Sequence, residues 1–375
     1  MKSFVSILAL LVVLVQLTPP AHAQTSADFK SWGEETLTQI RKDFFIPNRK
    51  LYADEWKRDG QNNHSPAFMW GCGVMLPALV AGSRVDPPIF TEQMRAYIKA
   101  LEVYWAPGNN GVPGYDVLPG PKPPDRYYDD NGWMCLALVD AYDITQDRTY
   151  LEKALAIYKF VLSGEDDKLG GGIYWHEQDK KGKNTCSNAP AIVSALRLYQ
   201  ATHTPGYLAD AKRLYTWTNA HLQDADGLYW DNIRLDGKIE QTKWTYNTAL
   251  MLRANVLLHA ATRDTKYLDE AERIAKSAEA RWVKPDTGAI ADGGPFAHLL
   301  SEAFLALYVE DNVDHWADAV VKALKFVYDN VKDQDGRYGN QWDQRVAANL
   351  DKVGLLPQAS VARAYLMAAA VLVHR

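Results

Sequence analysis

Some stretches of this chain carry small apolar residues on every helical face. Others are apolar on one side only. Ala137-Leu138-Val139, Ala189 to Leu198, Ala249 to Ala261 and Ala359 to Val373 are of the first kind. Leu151-Glu152-Lys153-Ala154-Leu155 and Asp269-Glu270-Ala271-Glu272-Arg273 are of the second. A helix apolar all round has to be buried, and one charged along one side lies at a surface. The two kinds alternate in a unit of roughly 50–60 residues. Ala141-Tyr142-Asp143-Ile144-Thr145-Gln146-Asp147 with Tyr150-Leu151 returns as Leu198-Tyr199-Gln200-Ala201-Thr202 with Tyr207-Leu208, and again as Ala261-Thr262-Arg263-Asp264 with Tyr267-Leu268. The pattern predicts outer helices near 28–43, 90–105, 149–163, 205–221, 265–283 and 314–331. Inner helices are predicted near 66–82, 131–145, 187–203, 246–263, 297–310 and 357–373. Six hairpins with no polar cap at either end predict closure into an all-α, single-domain (α/α)6 toroid rather than an open solenoid.

Gly-rich, aromatic loops lead from one hairpin to the next: Gly170-Gly171-Gly172-Ile173-Tyr174-Trp175, Gly227-Leu228-Tyr229-Trp230-Asp231-Asn232, the stretch around Asp292, and Gly336 to Trp342. Segment 106–126 exceeds an ordinary turn, a length often tied to function. If inner helices start at equivalent heights, Asp130, Asn188 and Asn247 converge on one mouth of the ring, where the loops also arrive. Acids, amides and exposed rings gathered at one opening suit a sugar.

Composition narrows the field. Residues 1–23 have the form of a secretory signal: Lys2, an apolar run from Phe4 to Leu17, and Ala21-His22-Ala23 as a cleavage site. The expected mature domain is then 24–375, secreted or periplasmic, monomeric and free of the membrane once cleaved. The net charge is -5 and no basic block occurs, so nucleic acid is not an expected partner. Cys72, Cys135 and Cys186 cannot all pair within the chain, and the first two sit in apolar runs that suit buried thiols. Without a CxxC motif, an HExxH motif or clustered histidine, no metal or other cofactor is expected.

The adjacent acids Asp129 and Asp130, within Tyr127-Tyr128-Asp129-Asp130-Asn131, are the leading chemical candidates. Neighbouring carboxyls cannot ionise independently, so at neutral pH one serves as a base and the other as an acid. Glycoside hydrolysis requires that pair, about 5–5.5 Å apart for retention of configuration. Asp in the first helical turn also caps free N–H groups, and that reading stays open. Asn131, Asn188, Asn247 and Asp231 could bind sugar hydroxyls or cap helices. Tyr128, Trp175, Trp230, Trp244 and Tyr246 could stack on sugar rings or fill the core. Asp292 is a weaker candidate. His298 and Glu302 favour pairing with a neighbour, and Asp166-Asp167 and Asp54-Glu55 read as solvated turns.

These motifs, taken in order, resemble glycoside hydrolase family 76, the α-1,6-mannanases. The carriers are Tyr127 to Asn131 with Trp133, Gly170 to Trp175, Lys183-Asn184-Thr185 with Ser187-Asn188-Ala189-Pro190, Trp244-Thr245-Tyr246-Asn247, and Asp54-Glu55-Trp56. The resemblance implies a retaining, endo-acting hydrolase of α-mannan on an (α/α)6 toroid, needing no metal. It makes Asp129 the nucleophile and Asp130 the acid/base. Thr248-Ala249 stands where the family usually has Gln-Gly, and Gly132 where Ala is common. Alternatives are a transglycosylase, another α-glycan-active toroid enzyme, or an inert glycan-binding toroid.

Overall fold

The computed structural model describes residues 24–373 apart from 63, 109, 110 and 121, so the expected signal segment lies outside the described residues. The helices are α1 (Ser26–Phe44), α2 (Met69–Val85), α3 (Pro87–Ala100), α4 (Tyr128–Thr145), α5 (Arg148–Leu162), α6 (Thr185–Thr202), α7 (Pro205–Leu222), α8 (Thr245–Thr262), α9 (Thr265–Trp282), α10 (Gly294–Asp311), α11 (Asp314–Phe326) and α12 (Leu355–Val371). The even-numbered ones are buried on nearly every face. On α9 the buried positions Tyr267, Ala271, Ile274, Ala275, Ala278 and Trp282 form a single stripe, as the alternation demands.

Each even helix packs against the even helix before and after it, and α12 returns to pack on α2. The ring therefore closes. Each inner helix has the next helix in the chain outside it, except α12, whose outer partner is α1. Strand Glu55–Lys57 pairs antiparallel with Lys352–Gly354 at this seam. The seam also carries the buried ion pair Arg337–Asp43, with the Arg337 guanidinium 3.6 Å from the centre of the Trp56 ring.

One mouth of the ring has short turns and the other long loops. At the short end Gln146, His203, Arg263 and Asn312 adopt left-handed φ of 54–59° and return their N–H groups to the end of the inner helix. At the long end the inner helices begin. Helix α4 starts at Tyr128, three residues before the apolar pattern does, and α10 starts at Gly294. Their first turns are polar or irregular in sequence because they face an opening rather than the core. Helix α3 stops at Ala100 and finishes in a 3-10 turn, Leu101–Tyr104.

Two buried devices fix the loop that carries Trp175. Lys183 is fully buried, and its ammonium donates to Asp166 Oδ1 at 2.8 Å and to the carbonyls of Lys168 and Gly171 at 2.6 and 2.5 Å. Asp166, expected in a solvated turn, is thus an ion-pair partner that also accepts from the Tyr174 hydroxyl. Gly172 has φ +79°, and any Cβ there would sit 2.6 Å from the Trp217 ring, so only glycine fits. Inside the ring, Glu302 pairs with Arg253 on α8 at 2.6 Å and with Arg363 on α12 at 2.5 Å. His298 Nδ1 lies 2.9 Å from the Gly294 carbonyl, and burial beside Arg363 lowers its pKa to about 3. His298 and Glu302 do pair with neighbours, across inner helices.

Candidate active site

A cleft of 1320 Å³ opens where the inner helices start. The second residue of α4, α6 and α8 is Asp129, Cys186 and Tyr246 respectively, and all three line it, as does Trp70 at the same place on α2. The repeat therefore presents the same position of four inner helices to a shared floor.

Asp129 and Asp130 lie in the first turn of α4, whose free N–H groups and dipole favour negative charge there. Asp129 is half-buried and doubly held. Its Oδ1 accepts from the Asp130 backbone N–H at 2.9 Å, and its Oδ2 accepts from the Trp175 indole N–H at 2.9 Å. Asp130 is 8% exposed, and its carboxyl has no hydrogen-bond partner among the described residues. Burial raises Asp129 to about 6, against the pull of the Trp175 and Asp130 donors. Burial pushes Asp130 well above the ordinary range, and the charges of Asp129 and Asp125 add to the effect. The two titrate as a pair, and the two N–H donors on Asp129 favour the negative charge there.

The chain reaches these acids through a short ladder. Tyr127 bridges His176, Tyr128 N–H donates to the Trp175 carbonyl at 2.9 Å, and Glu177 N–H donates to the Arg126 carbonyl at 3.1 Å. His176 Nδ1 accepts from the Asp179 N–H at 3.1 Å, so its proton resides on Nε2 and points to Asp125 Oδ1 at 2.8 Å. The Tyr127 ring stacks on His176 at 4.5 Å. A second aromatic group runs Trp70, Phe296, Tyr246, with centroids 5.6 and 4.6 Å apart, and Trp244 leans on Phe296 at 5.3 Å. Trp175 and Trp244 are 45% and 36% exposed, the condition a stacking surface requires.

Of the residues expected from sequence, Asp129, Asp130, Trp175, Asp231, Trp244 and Tyr246 line the cleft. Asp231 is half-buried, its carboxyl raised by burial and held by the amides of Asn232 and Asn247. Six residues proposed from sequence do not line it. Tyr128 is buried against the Phe160 ring. Asn131 clamps a loop backbone, its Oδ1 accepting from Tyr115 N at 2.7 Å and its Nδ2 donating to Tyr115 O at 3.0 Å. Asn188 does the same to Ile173 at 2.8 and 3.0 Å, and Gln358 to Tyr338 at 2.9 and 2.8 Å. Both edges of these amides are taken, so none is left for a sugar. Asn247 is buried behind Asp231. Trp230 is tied by its backbone to Leu222 and Thr185, and its side chain hydrogen-bonds Asp224. Asp292 caps α8 through Thr245 N–H and Oγ1 at 3.1 and 2.7 Å.

Tyr127, His176, Trp70, Phe296 and Cys186 line the cleft without having been singled out. Their signal was positional, since aligning the starts of the inner helices would have placed Trp70 and Cys186 beside Asp129. Among the described residues no group of three or more His, Cys, Asp or Glu is arranged to hold a metal ion, and no helix is long and apolar enough to cross a membrane.

The family model described as glycosyl hydrolase family 76 matches residues 36–372. A solved family 76 α-mannanase from Bacteroides thetaiotaomicron is 34% identical, with a TM-score of 0.87 over 92% of this chain and 96% of its own. An α-1,6-mannanase from a Salegentibacter species is 26% identical, with a TM-score of 0.78 over 92% of this chain and 100% of its own. It was solved as an inactive variant, two consecutive aspartates changed to asparagine, with α-1,6-mannotriose. Dfg5 from Chaetomium thermophilum, solved with glucosamine, is 15% identical with a TM-score of 0.74 over 95% of this chain and 92% of its own, which carries the fold alone. No curated protein matches.

Proposed function

Because the chain belongs to glycosyl hydrolase family 76 and is a glycosidase, we propose that it cleaves the backbone of α-1,6-linked mannan within the chain, with retention at the anomeric carbon. One observation carries this reading: two consecutive carboxyls in an open cleft, one held by two N–H donors and the other by none. The inactive double-aspartate variant of the Salegentibacter enzyme, bound to an α-1,6-linked trisaccharide, supports it. An open cleft with exposed aromatic rings supports attack within a polymer rather than at its end.

In this mechanism ionised Asp129 attacks the anomeric carbon while Asp130 gives its proton to the departing glycosidic oxygen. The C–O bond to the leaving sugar breaks as the aspartyl ester forms. Esterification removes the Asp129 charge, and with it part of the repulsion that kept Asp130 protonated. Asp130, now a carboxylate of lower pKa, takes a proton from water, which attacks the same carbon and releases Asp129. Residues 1–23 would export the domain that begins at residue 24, placing it where an extracellular polysaccharide is met.

The test is to incubate the purified protein with unbranched α-1,6-mannan and follow products by chromatography, beside Asp129→Asn. Short oligosaccharides from the wild type alone are expected. Products longer than the donor in the presence of acceptor sugars would make it a transglycosylase, and binding without any product would make it a lectin.

A further inference from the structure

We propose that Trp175 is a positioning residue for the acid pair, its indole N–H selecting Asp129 as the carboxyl that ionises. This inference rests on the reading of Asp129 as nucleophile and assigns the cause of its difference from Asp130. A tryptophan exposed in a sugar cleft would ordinarily be taken as a stacking platform. Here its one polar atom points elsewhere, to Asp129 Oδ2 at 2.9 Å.

The placement is built. The Trp175 carbonyl accepts from Tyr128 N–H, one residue before Asp129, so the indole and its target share a fixed ladder. The Tyr127 ring lies 4.9 Å from the indole. Clamps on Ile173 and Gly171, from Asn188 and Lys183, hold the loop just upstream.

The groups that face Asp129 are Asp130 on its own helix, Tyr127 before it, Cys186 on α6 and Tyr246 on α8. Burial raises the Cys186 thiol and the Tyr246 hydroxyl, so both stay neutral near pH 7. The charge of Asp125 bears on Asp130, and the donors bear on Asp129 alone: the Trp175 indole, the Asp130 backbone N–H and the Cys186 thiol, of which the indole is the leading one. A hydrogen bond to an ionised group favours that form. The same N–H would remain on the ester carbonyl after attack, which leaves the acid/base partner unhindered.

The test replaces Trp175 with 3-benzothienylalanine, in which sulfur stands in place of the indole N–H and the ring shape is kept, and in parallel makes Trp175→Phe. The pH dependence of kcat/KM on α-1,6-mannan oligosaccharides is measured for both, beside Asp129→Asn. The acidic limb is expected to move up by about one pH unit, with kcat falling by roughly fivefold near pH 6 and KM holding within about twofold. An unmoved acidic limb with a raised KM would make Trp175 a stacking residue and overturn the inference. If instead Asp129→Asn keeps its turnover, the nucleophile assignment fails and takes this inference with it, so the two failures are told apart.

Discussion

Arg126 is fully buried and grips Glu177 with two nitrogens, at 2.8 and 2.5 Å. The same guanidinium donates to the Val112 carbonyl at 2.8 Å and lies over the Phe160 ring. One side chain thus ties the long loop after α3, the approach to Asp129 and the loop beyond Trp175. Arg126→Ala strands a half-buried carboxylate and should cost about 3 kcal/mol in chemical denaturation. Turnover at permissive temperature should fall as well, because the two loops beside the ladder that aligns Trp175 with Asp129 lose the side chain that clamps them together. A variant with full activity and a lowered midpoint would confine Arg126 to stability.

The raised carboxyls also predict a cost to the fold. Both aspartates bind protons more tightly in the native state than in the unfolded chain, where an aspartate titrates near 3.9. Between about pH 4 and 6 the native state therefore holds more protons, and stability falls as pH rises through that window. Asp130→Asn should remove part of this dependence and stabilise the protein by about 1 kcal/mol at pH 7, while turnover drops by at least about 10³-fold. Thermal melts across pH 4–8 for wild type and variant check both signs, and a destabilised Asp130→Asn would contradict the burial argument.

The amide clamps allow a paired comparison. Gln358→Ala and Asn188→Ala each leave one buried backbone N–H and one C=O unpaired, a loss of about 2–4 kcal/mol. Tyr338, which Gln358 holds, lies outside the cleft, whereas Ile173 leads directly to Trp175. Equal losses of stability are expected with unequal losses of activity, the Asn188 variant alone losing turnover at a temperature where both remain folded. Equal activities would separate the loop from the chemistry.

Glu302 balances two arginines from different helices, Arg363 buried and Arg253 largely so. Glu302→Gln leaves Arg253 and Arg363 with Asp140 as the remaining acid that bears on both, and should destabilise by about 3 kcal/mol. Because none of the three lines the cleft, kcat/KM at 25 °C should stay near wild type. A specific loss of activity without a shift in melting temperature would show that the ring interior reaches the site.

The helices were legible because their signal is periodic and repeated: the apolar runs of α6, α8 and α12 announce buried helices without reference to anything distant. The acid pair was legible because two adjacent aspartates have few uses. Amides were not. Asn131 and Asn188 start their helices as a sugar ligand would, and only the tertiary approach of Tyr115 and Ile173 uses up their hydrogen-bonding edges. Phe296 and Trp70 were hidden for the opposite reason, since an aromatic in an apolar run reads as core unless its height on the helix is known. Trp175 was found, but no pattern along the chain reveals which way an indole N–H points.

Closure of the ring by α12 against α1 and α2 sets an order of events at the ribosome. The strand pair at the seam joins residues about 300 positions apart. At roughly 5–20 residues per second, α1 and α2 wait from about fifteen seconds to a minute for the helix that covers them. Over that interval the nascent chain is an unfinished arc with a sticky flank, a natural client for a holding chaperone. The arc becomes a ring only when its last inner helix arrives.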